Sequence, residues 1–296
     1  MTLSLDSPAS APPLDRRGLA GALLATATWA LTGTFIHLVP GLGAPTVAAV
    51  RLVASAIVLL AFQLMRSRSS FWPAVPWIGV CAMAAYYVMA TEAFTRAPVV
   101  EVTLLVGSAP VVTLVVELVL GRRVRALRML GVLIAVAGLA AFLIPAMRDA
   151  PRSALGYVFA IGAACVSALY VTTLRARAAR GIAVDAIAIA TRASLVGAVA
   201  SALIVLFGTG VSAIHLSARD LGVLALLGVV STAVPTVAYG EASKRLPPTV
   251  TTSLSLLTPL FAALIAGATL GEWPAPARLP GCLLAFVGIG VVVLSN

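Results

Sequence analysis

Ten runs of about twenty mostly apolar residues divide the chain, separated by short segments rich in Pro, Gly and Arg. They fall near 18–38, 44–64, 72–94, 98–120, 126–146, 153–174, 183–206, 218–240, 247–270 and 276–295. Each is close to the length a helix needs to cross the hydrocarbon layer of a bilayer. The pattern predicts an all-α, polytopic membrane protein of ten transmembrane helices, numbered here as spans 1 to 10. No connecting loop exceeds about a dozen residues, so no soluble domain is expected outside the bilayer. Residues 1–17 are polar and rich in Pro, Ser and Ala, and read as a disordered cytoplasmic tail. A twin-arginine or secretory signal at Arg16-Arg17 is disfavoured. The run from Gly18 to Leu38 has no convincing cleavage site, and nine further runs follow it.

Composition supports this reading. Of the 296 residues 61% are apolar and 10% charged, whereas a soluble domain is nearer half apolar and a quarter charged. Disorder, collagen-like repeats and a disulfide scaffold are excluded on the same grounds. Cys81, Cys165 and Cys282 are odd in number, widely spaced and embedded in apolar runs. They read as small hydrophobes, with no disulfide framework and no metal site.

A net charge of +10 raises the possibility of a nucleic-acid partner, but the charges form no stripe along a soluble face. They cluster between the apolar runs. One side of the expected bilayer takes Arg16 and Arg17, Arg66 and Arg68, four arginines of 122–128, three of 175–180, and Lys244-Arg245, thirteen in all. The other side takes five: Arg96, Arg148, Arg152, Arg219 and Arg278. Arg51 and Arg192 lie within spans. The positive-inside rule then predicts a multi-pass protein of the cell inner (plasma) membrane with both termini in the cytoplasm.

The two halves of the chain match each other. Gly18 with Ala30-Leu31 parallels Gly156 with Ala168-Leu169, and Arg51 parallels Arg192. Further along, Gly79 matches Gly228, Glu92 matches Glu241, Pro98 matches Pro247, Thr103 matches Thr252 and Pro110 matches Pro259. Gly131 and Gly138 then match Gly281 and Gly288, the offset having drifted from 138 to 150 without reversing. This predicts two repeats, 18–146 and 153–296, of five spans each. An odd number of spans turns the second repeat over in the membrane, giving an inverted-topology pair of the kind that builds two gates around a midplane site.

Three stretches, "RLVASAIVLL", "GSAPVVTLVVELVLG" and "SLSLLTPLFAALIAGATLGEW", resemble the drug/metabolite transporter superfamily, EamA type. The likeness covers the chain from Gly18 onward. It departs from that pattern at Arg122, which follows Leu120-Gly121 where such proteins often carry Glu, as the second repeat does at Glu272. Within the superfamily the chain is most similar to YddG-like amino-acid exporters. The resemblance implies a secondary transporter exporting small metabolites, amino acids with aromatic or other hydrophobic side chains foremost, by alternating access.

Candidate chemistry follows from the polar and helix-breaking residues. Pro110 and Pro259 each lie near the middle of a span, where each removes a backbone donor and frees the carbonyl four residues earlier. At that depth a freed carbonyl needs protein or water around it, so these residues mark either paired packing kinks or kinked, cavity-lining helices. Ser108, Ser253 and Thr258 are candidate polar contacts beside the breaks. Trp72, Trp77, Tyr157 and Trp273 stand near span ends, where interfacial rings gather. Trp29, Tyr86, Tyr87 and Tyr170 stand well inside spans, and read either as core or as walls of an amphipathic substrate site. Tyr239 is too close to its expected span end to assign. Arg51 with Glu92, and Arg192 with Glu241, hold equivalent places in the two repeats and are expected to form ion pairs. Those pairs would serve as staples or as gates, with Arg96, Lys244 and Arg245 as competitors for the same carboxylates. Glu101 and Glu117 lie toward opposite ends of span 4. No span centre carries Asp, Glu, Lys or His, which argues for recognition through hydroxyls, backbone groups and ring faces.

An intramembrane enzyme is the rival class, and a channel or scaffold the third. His37 and His215 are the only histidines, both near span ends or in loops, and no metalloprotease or nucleophile-elbow motif is present. The sequence thus leads to no catalytic residue, no cofactor and no metal. The partners expected are the lipid bilayer and a small-molecule substrate, with no nucleic acid, and the chain acting as a monomer.

Overall fold

A computed structural model describes residues 15–32, 35, 38–39, 41–66, 75–97, 99–146, 153–209, 216–270 and 273–295. The tail as far as Leu14, and His37, Arg68, Trp72, Pro98, Arg148, Arg152, His215 and Glu272, lie outside the described residues, as do the side chains of Arg66 and Glu101. Among the described residues the chain is helical and contains no strand.

In chain order the helices are α1 (Arg16–Ala30), α2 (Ala44–Arg66), α3 (Trp77–Arg96), α4 (Val99–Val106), α5 (Ala109–Val119), α6 (Ala126–Leu143) and α7 (Ala154–Ala179). They continue with α8 (Ala186–Ile204), α9 (Ala218–Gly228), α10 (Val234–Arg245), α11 (Pro248–Leu254), α12 (Thr258–Leu270) and α13 (Leu279–Leu294). A stretch of i→i+5 bonding over Val229–Ala233 joins α9 to α10, and a 3-10 turn over Ser255–Leu257 joins α11 to α12. Eight stretches among the described residues are long and apolar enough to cross a membrane. They correspond to spans 2 and 4 to 10. Spans 1 and 3 are helical where described, as α1 and α3.

Side-chain caps start several helices. Asp15 accepts from the Arg17 and Gly18 amides at 2.8 and 3.3 Å, and Asp185 from those of Ile187 and Ala188 at 3.0 and 3.1 Å. Ser217 and Asp220 cap α9 reciprocally. Such caps stabilise a helix start by about 1 kcal/mol each. Two helices run on past their expected ends: α7 reaches Ala179 and α10 reaches Arg245. The sequence reading stopped where charge begins, but these charges serve the helix end. Arg175 donates to the carbonyls of Lys244 and Arg245 at 2.8 and 3.2 Å. Arg245 in turn pairs with Asp15 at 3.0 Å, so the start of α1 and the ends of α7 and α10 share one face. The Arg245 hydrogen bond, with help from the Arg17 amide, holds the Asp15 carboxyl below its ordinary 3.8.

Large apolar side chains point outward. Ile57, Val119, Phe207 and Leu294 are more than half exposed, whereas alanines dominate the buried apolar residues. Small residues inside and large ones outside suit a helix bundle in lipid, where close backbone approach has to replace the hydrophobic drive of water. The long pairings cross between the halves: α2 along α8, α3 along α7, α1 along α10 and α6 along α13.

The α6–α13 seam is the closest of these. An ideal Cβ on Gly138 would lie 2.2 Å from the Ala285 nitrogen, and one on Gly288 would lie 2.2 Å from the Ala135 nitrogen. Gly281 meets Phe142 at 2.4 Å, and Gly131 meets Val292 at 2.9 Å. The neighbours at the tightest contacts are backbone atoms, which cannot rotate aside. Gly138→Ala or Gly288→Ala is therefore expected to force the helices apart and lower stability by roughly 1–3 kcal/mol or more. Gly290→Ala, on α13 but with open space around it, is the control expected to be neutral. Unfolding of the purified variants in detergent measures the difference.

Candidate functional site

Both prolines singled out in the sequence stand just after a helix interruption. Helix α4 ends at Val106, Gly107 and Ser108 form a turn, and Pro110 is the second residue of α5. Helix α11 ends at Leu254, the 3-10 turn follows, and Pro259 is the second residue of α12. The first turn of a helix tolerates proline because its amide would have no partner there. Hydroxyls bond to carbonyls beside both breaks. Thr26 of α1 donates to the Leu254 carbonyl at 3.3 Å, and the Ser108 hydroxyl folds back on the Leu105 carbonyl at 2.6 Å. Of the polar candidates, Ser253 is fully buried with its hydroxyl unpartnered, whereas Ser108 and Thr258 are half-buried.

The interior rings come together. Trp29 lies 6.5 Å from Tyr86 and 5.0 Å from Tyr239, centroid to centroid. Tyr86 continues to Tyr87 at 5.9 Å, edge to face, and Tyr239 to Tyr170 at 6.1 Å, nearly parallel. Five rings from α1, α3, α7 and α10 thus form one continuous run. Tyr87, Tyr170 and Tyr239 are buried in the core with Leu52, Val80, Leu174 and Ile189. Trp29 and Tyr86 are half-buried and keep part of their surface open. Tyr239 was missed in the sequence because its span was ended at 240; the helix runs five residues further and carries the ring inward. The run reaches the second helix break, since Tyr239 lies beside Ser167 and Ser255.

One hydroxyl pair ties α3 to α10. The Tyr87 hydroxyl hydrogen-bonds Thr236, whose own hydroxyl donates to the Thr232 carbonyl at 2.5 Å in the i→i+5 stretch. Thr236 follows Pro235, and together with the wide turn before it this local geometry aims the threonine at α3.

The expected ion pairs take different partners. Glu92 pairs with Arg96 at 2.9 Å and Glu241 with Lys244 at 2.6 Å, each within its own helix. A residue three or four positions on is already beside the carboxylate, so no neighbouring helix has to supply the cation. Arg51 instead donates to Thr91 at 3.3 Å and lies over the Tyr87 ring, 5.7 Å from its centroid. Arg192 lies over Trp77, 5.9 Å from the centroid, at the exposed start of α3. Glu117 was placed near the end of span 4 and given no role, yet it is buried. Thr249 of α11 donates to it, and Arg122 stands 3.7 Å away. No signal close in sequence announces a partner 132 positions along the chain. Among the described residues no cluster of His, Cys, Asp and Glu could hold a metal ion.

Comparison with known proteins places this geometry. The sequence profile of the EamA-like transporter family matches residues 16–144 and again residues 154–294. No curated protein matches the chain. Among solved structures, one titled only as the crystal structure of a protein has 20% sequence identity to the chain, with a TM-score of 0.79. The match covers 94% of this chain and 96% of that one, and shows a shared fold.

The Tyr87–Thr236 bond is testable by a double-mutant cycle. Tyr87→Phe and Thr236→Val are each expected to cost about 1 kcal/mol. The double variant should cost less than the two together, because both remove the same bond. Additive losses would mean that the hydroxyls do not interact.

Proposed function

The chain belongs to the EamA-like transporter family, and we propose on that footing that it exports small metabolites across the inner membrane by alternating access. Amino acids with aromatic or other hydrophobic side chains are the substrates proposed, as for the YddG-like exporters it resembles. The observation that carries this reading is the run of five interior rings beside an interrupted helix. Half-buried Trp29 and Tyr86 offer ring faces to an apolar side chain. The break at Ser255–Leu257 offers backbone and hydroxyl groups to a polar end. This is a small set of polar groups in a largely apolar setting, as substrate sites usually are.

Contacts between the halves support ten spans arranged as two inverted repeats, 18–146 and 153–296. Gly138 against Ala285 and Gly288 against Ala135 are one contact with the halves exchanged, at a constant offset of 150 residues. Likewise Gly18 meets Arg245 and Leu246, while Gly156 meets Arg96 and Ala97. Tyr87 and Thr236 are equivalent positions that touch each other, as residues on a pseudo-two-fold axis would. The rings therefore surround that axis, where a site can be reached from either side in turn. The thirteen-to-five split of basic residues supports cytoplasmic termini.

Two experiments test the proposal. Purified protein in liposomes should show saturable counterflow of aromatic amino acids, not steady conductance. Trp29→Phe and Tyr86→Phe should shift apparent affinity roughly fivefold, the effect of one hydrogen bond of about 1 kcal/mol. Pro110→Ala and Pro259→Ala should lower flux without loss of stability, by restoring a continuous helix. Wild-type kinetics in all four variants would reassign the rings and breaks to packing. Reporters fused after Val124 and Ala179 should be cytoplasmic, and one after Gly41 periplasmic; the reverse pattern would overturn the orientation.

A further inference from the structure

The guanidinium of Arg51 is a buried charge that borders the ring run. Every acidic side chain among the described residues has a partner elsewhere. Asp15 pairs with Arg245, Glu92 with Arg96 and Glu241 with Lys244; Glu117 is held by Thr249 and Arg122. Asp185 and Asp220 are helix caps. Arg51 is 8% exposed, its Nε has no hydrogen-bond partner, and its one hydrogen bond is the long one to Thr91. A buried guanidinium carries a large desolvation cost that a nearby anion normally offsets.

Its position says where that anion comes from. Arg51 reaches from α2 to the middle of α3, over the Tyr87 ring, and Tyr87 touches Tyr86, which touches Trp29. The cation thus terminates the ring run on the side of its two open faces. Near the opposite end, Tyr170 with Tyr239, stands Glu241, whose carboxylate is already paired with Lys244. Arg192, the equivalent residue of the second half, is buried too, but it lies over Trp77 and has no place in the run.

We propose that Arg51 is the substrate's anion anchor, and that the transported class is defined by a carboxylate attached to an aromatic or apolar body, the α-amino group being dispensable. The assignment rests on the reading of the ring run as the substrate site. The planar fork of Arg51 can donate two parallel bonds to a carboxylate, while the body of the substrate lies against Tyr86 and Trp29. An ammonium group meets ring faces, and the carboxylate near the run, Glu241, is already paired with Lys244. Decarboxylated amines are thus the poor substrates, and deaminated acids the good ones.

Three probes in proteoliposome counterflow separate the charges: L-phenylalanine, 3-phenylpropionate and phenethylamine. Wild type is expected to move the first two saturably and phenethylamine at least tenfold less efficiently. Arg51→Gln should raise KM at least tenfold for both carboxylates and leave phenethylamine unchanged. Arg51→Lys, which keeps the charge but not the fork, should fall between. Wild-type KM for the carboxylates in a normally melting Arg51→Gln protein would overturn the assignment, as would a wild type that prefers phenethylamine. If Arg51→Gln does not fold, the wild-type probe series and Arg51→Lys still decide. Wild type that moves none of the three would overturn the substrate-site reading itself, and the anchor with it.

Discussion

Lipid tails are as apolar as leucine, so this bundle gains little from turning large apolar side chains inward. What holds it is close approach of one backbone to another, and that requires the absence of side chains at chosen positions. The α6–α13 seam meets this requirement four times, with glycine facing the backbone or small side chains of the other helix. The contact is reciprocal: what α6 offers α13, α13 offers back. The exposed leucines, valines and phenylalanines then follow as the surface turned to lipid, and alanine as the interior that lets helices approach.

A second constraint, satisfaction of backbone polar groups, shapes the middle of the bundle. Each helix interruption leaves carbonyls without an amide four residues on, and hydroxyls from this chain answer them. Thr26 reaches the Leu254 carbonyl from another helix, and Ser108 serves Leu105 locally. Thr232 and Thr236 do the same in the wide turn before α10, where Thr232 donates to Leu227 at 3.0 Å. The interruptions are therefore supported from their surroundings, so an irregular backbone can persist at depth. That Tyr87 bonds to one of these threonines couples the ring run to the irregular stretch.

Much of this was legible from residue order. Helical class followed from the length of the apolar runs, and the interruptions from Pro110 and Pro259, because proline's missing amide acts locally and needs no tertiary knowledge. The matching glycines marked the repeat, but the close approach they allow shows only once α6 and α13 lie side by side. Features depending on distant or competing contacts were not legible. The carboxylates of Glu92 and Glu241 looked available to Arg51 and Arg192, and the competitors Arg96 and Lys244 won by being one turn away. Tyr239 was lost because a charge at Glu241 looked like the end of a helix that continues to Arg245. Glu117 looked peripheral, and only folding brings Thr249 to it.

Local pairing of the carboxylates has a consequence for the interior. Once Glu92 and Glu241 are engaged on their own helices, the cations one would have assigned to them must find other surroundings. The two arginines, equivalent in sequence, find different ones. Both guanidinium groups are buried, but Arg192, 3% exposed, lies over an exposed tryptophan at the start of α3, whereas Arg51, 8% exposed, rests on a buried tyrosine of the ring run. Near-symmetry of the chain thus ends in an asymmetric interior, with an arginine over the rings at one end of the run and a lysine-paired carboxylate near the other. If Arg51 anchors the substrate as proposed, a site built from two related halves gains direction in this way, because a substrate inside it would have only one orientation that satisfies both its charge and its apolar body.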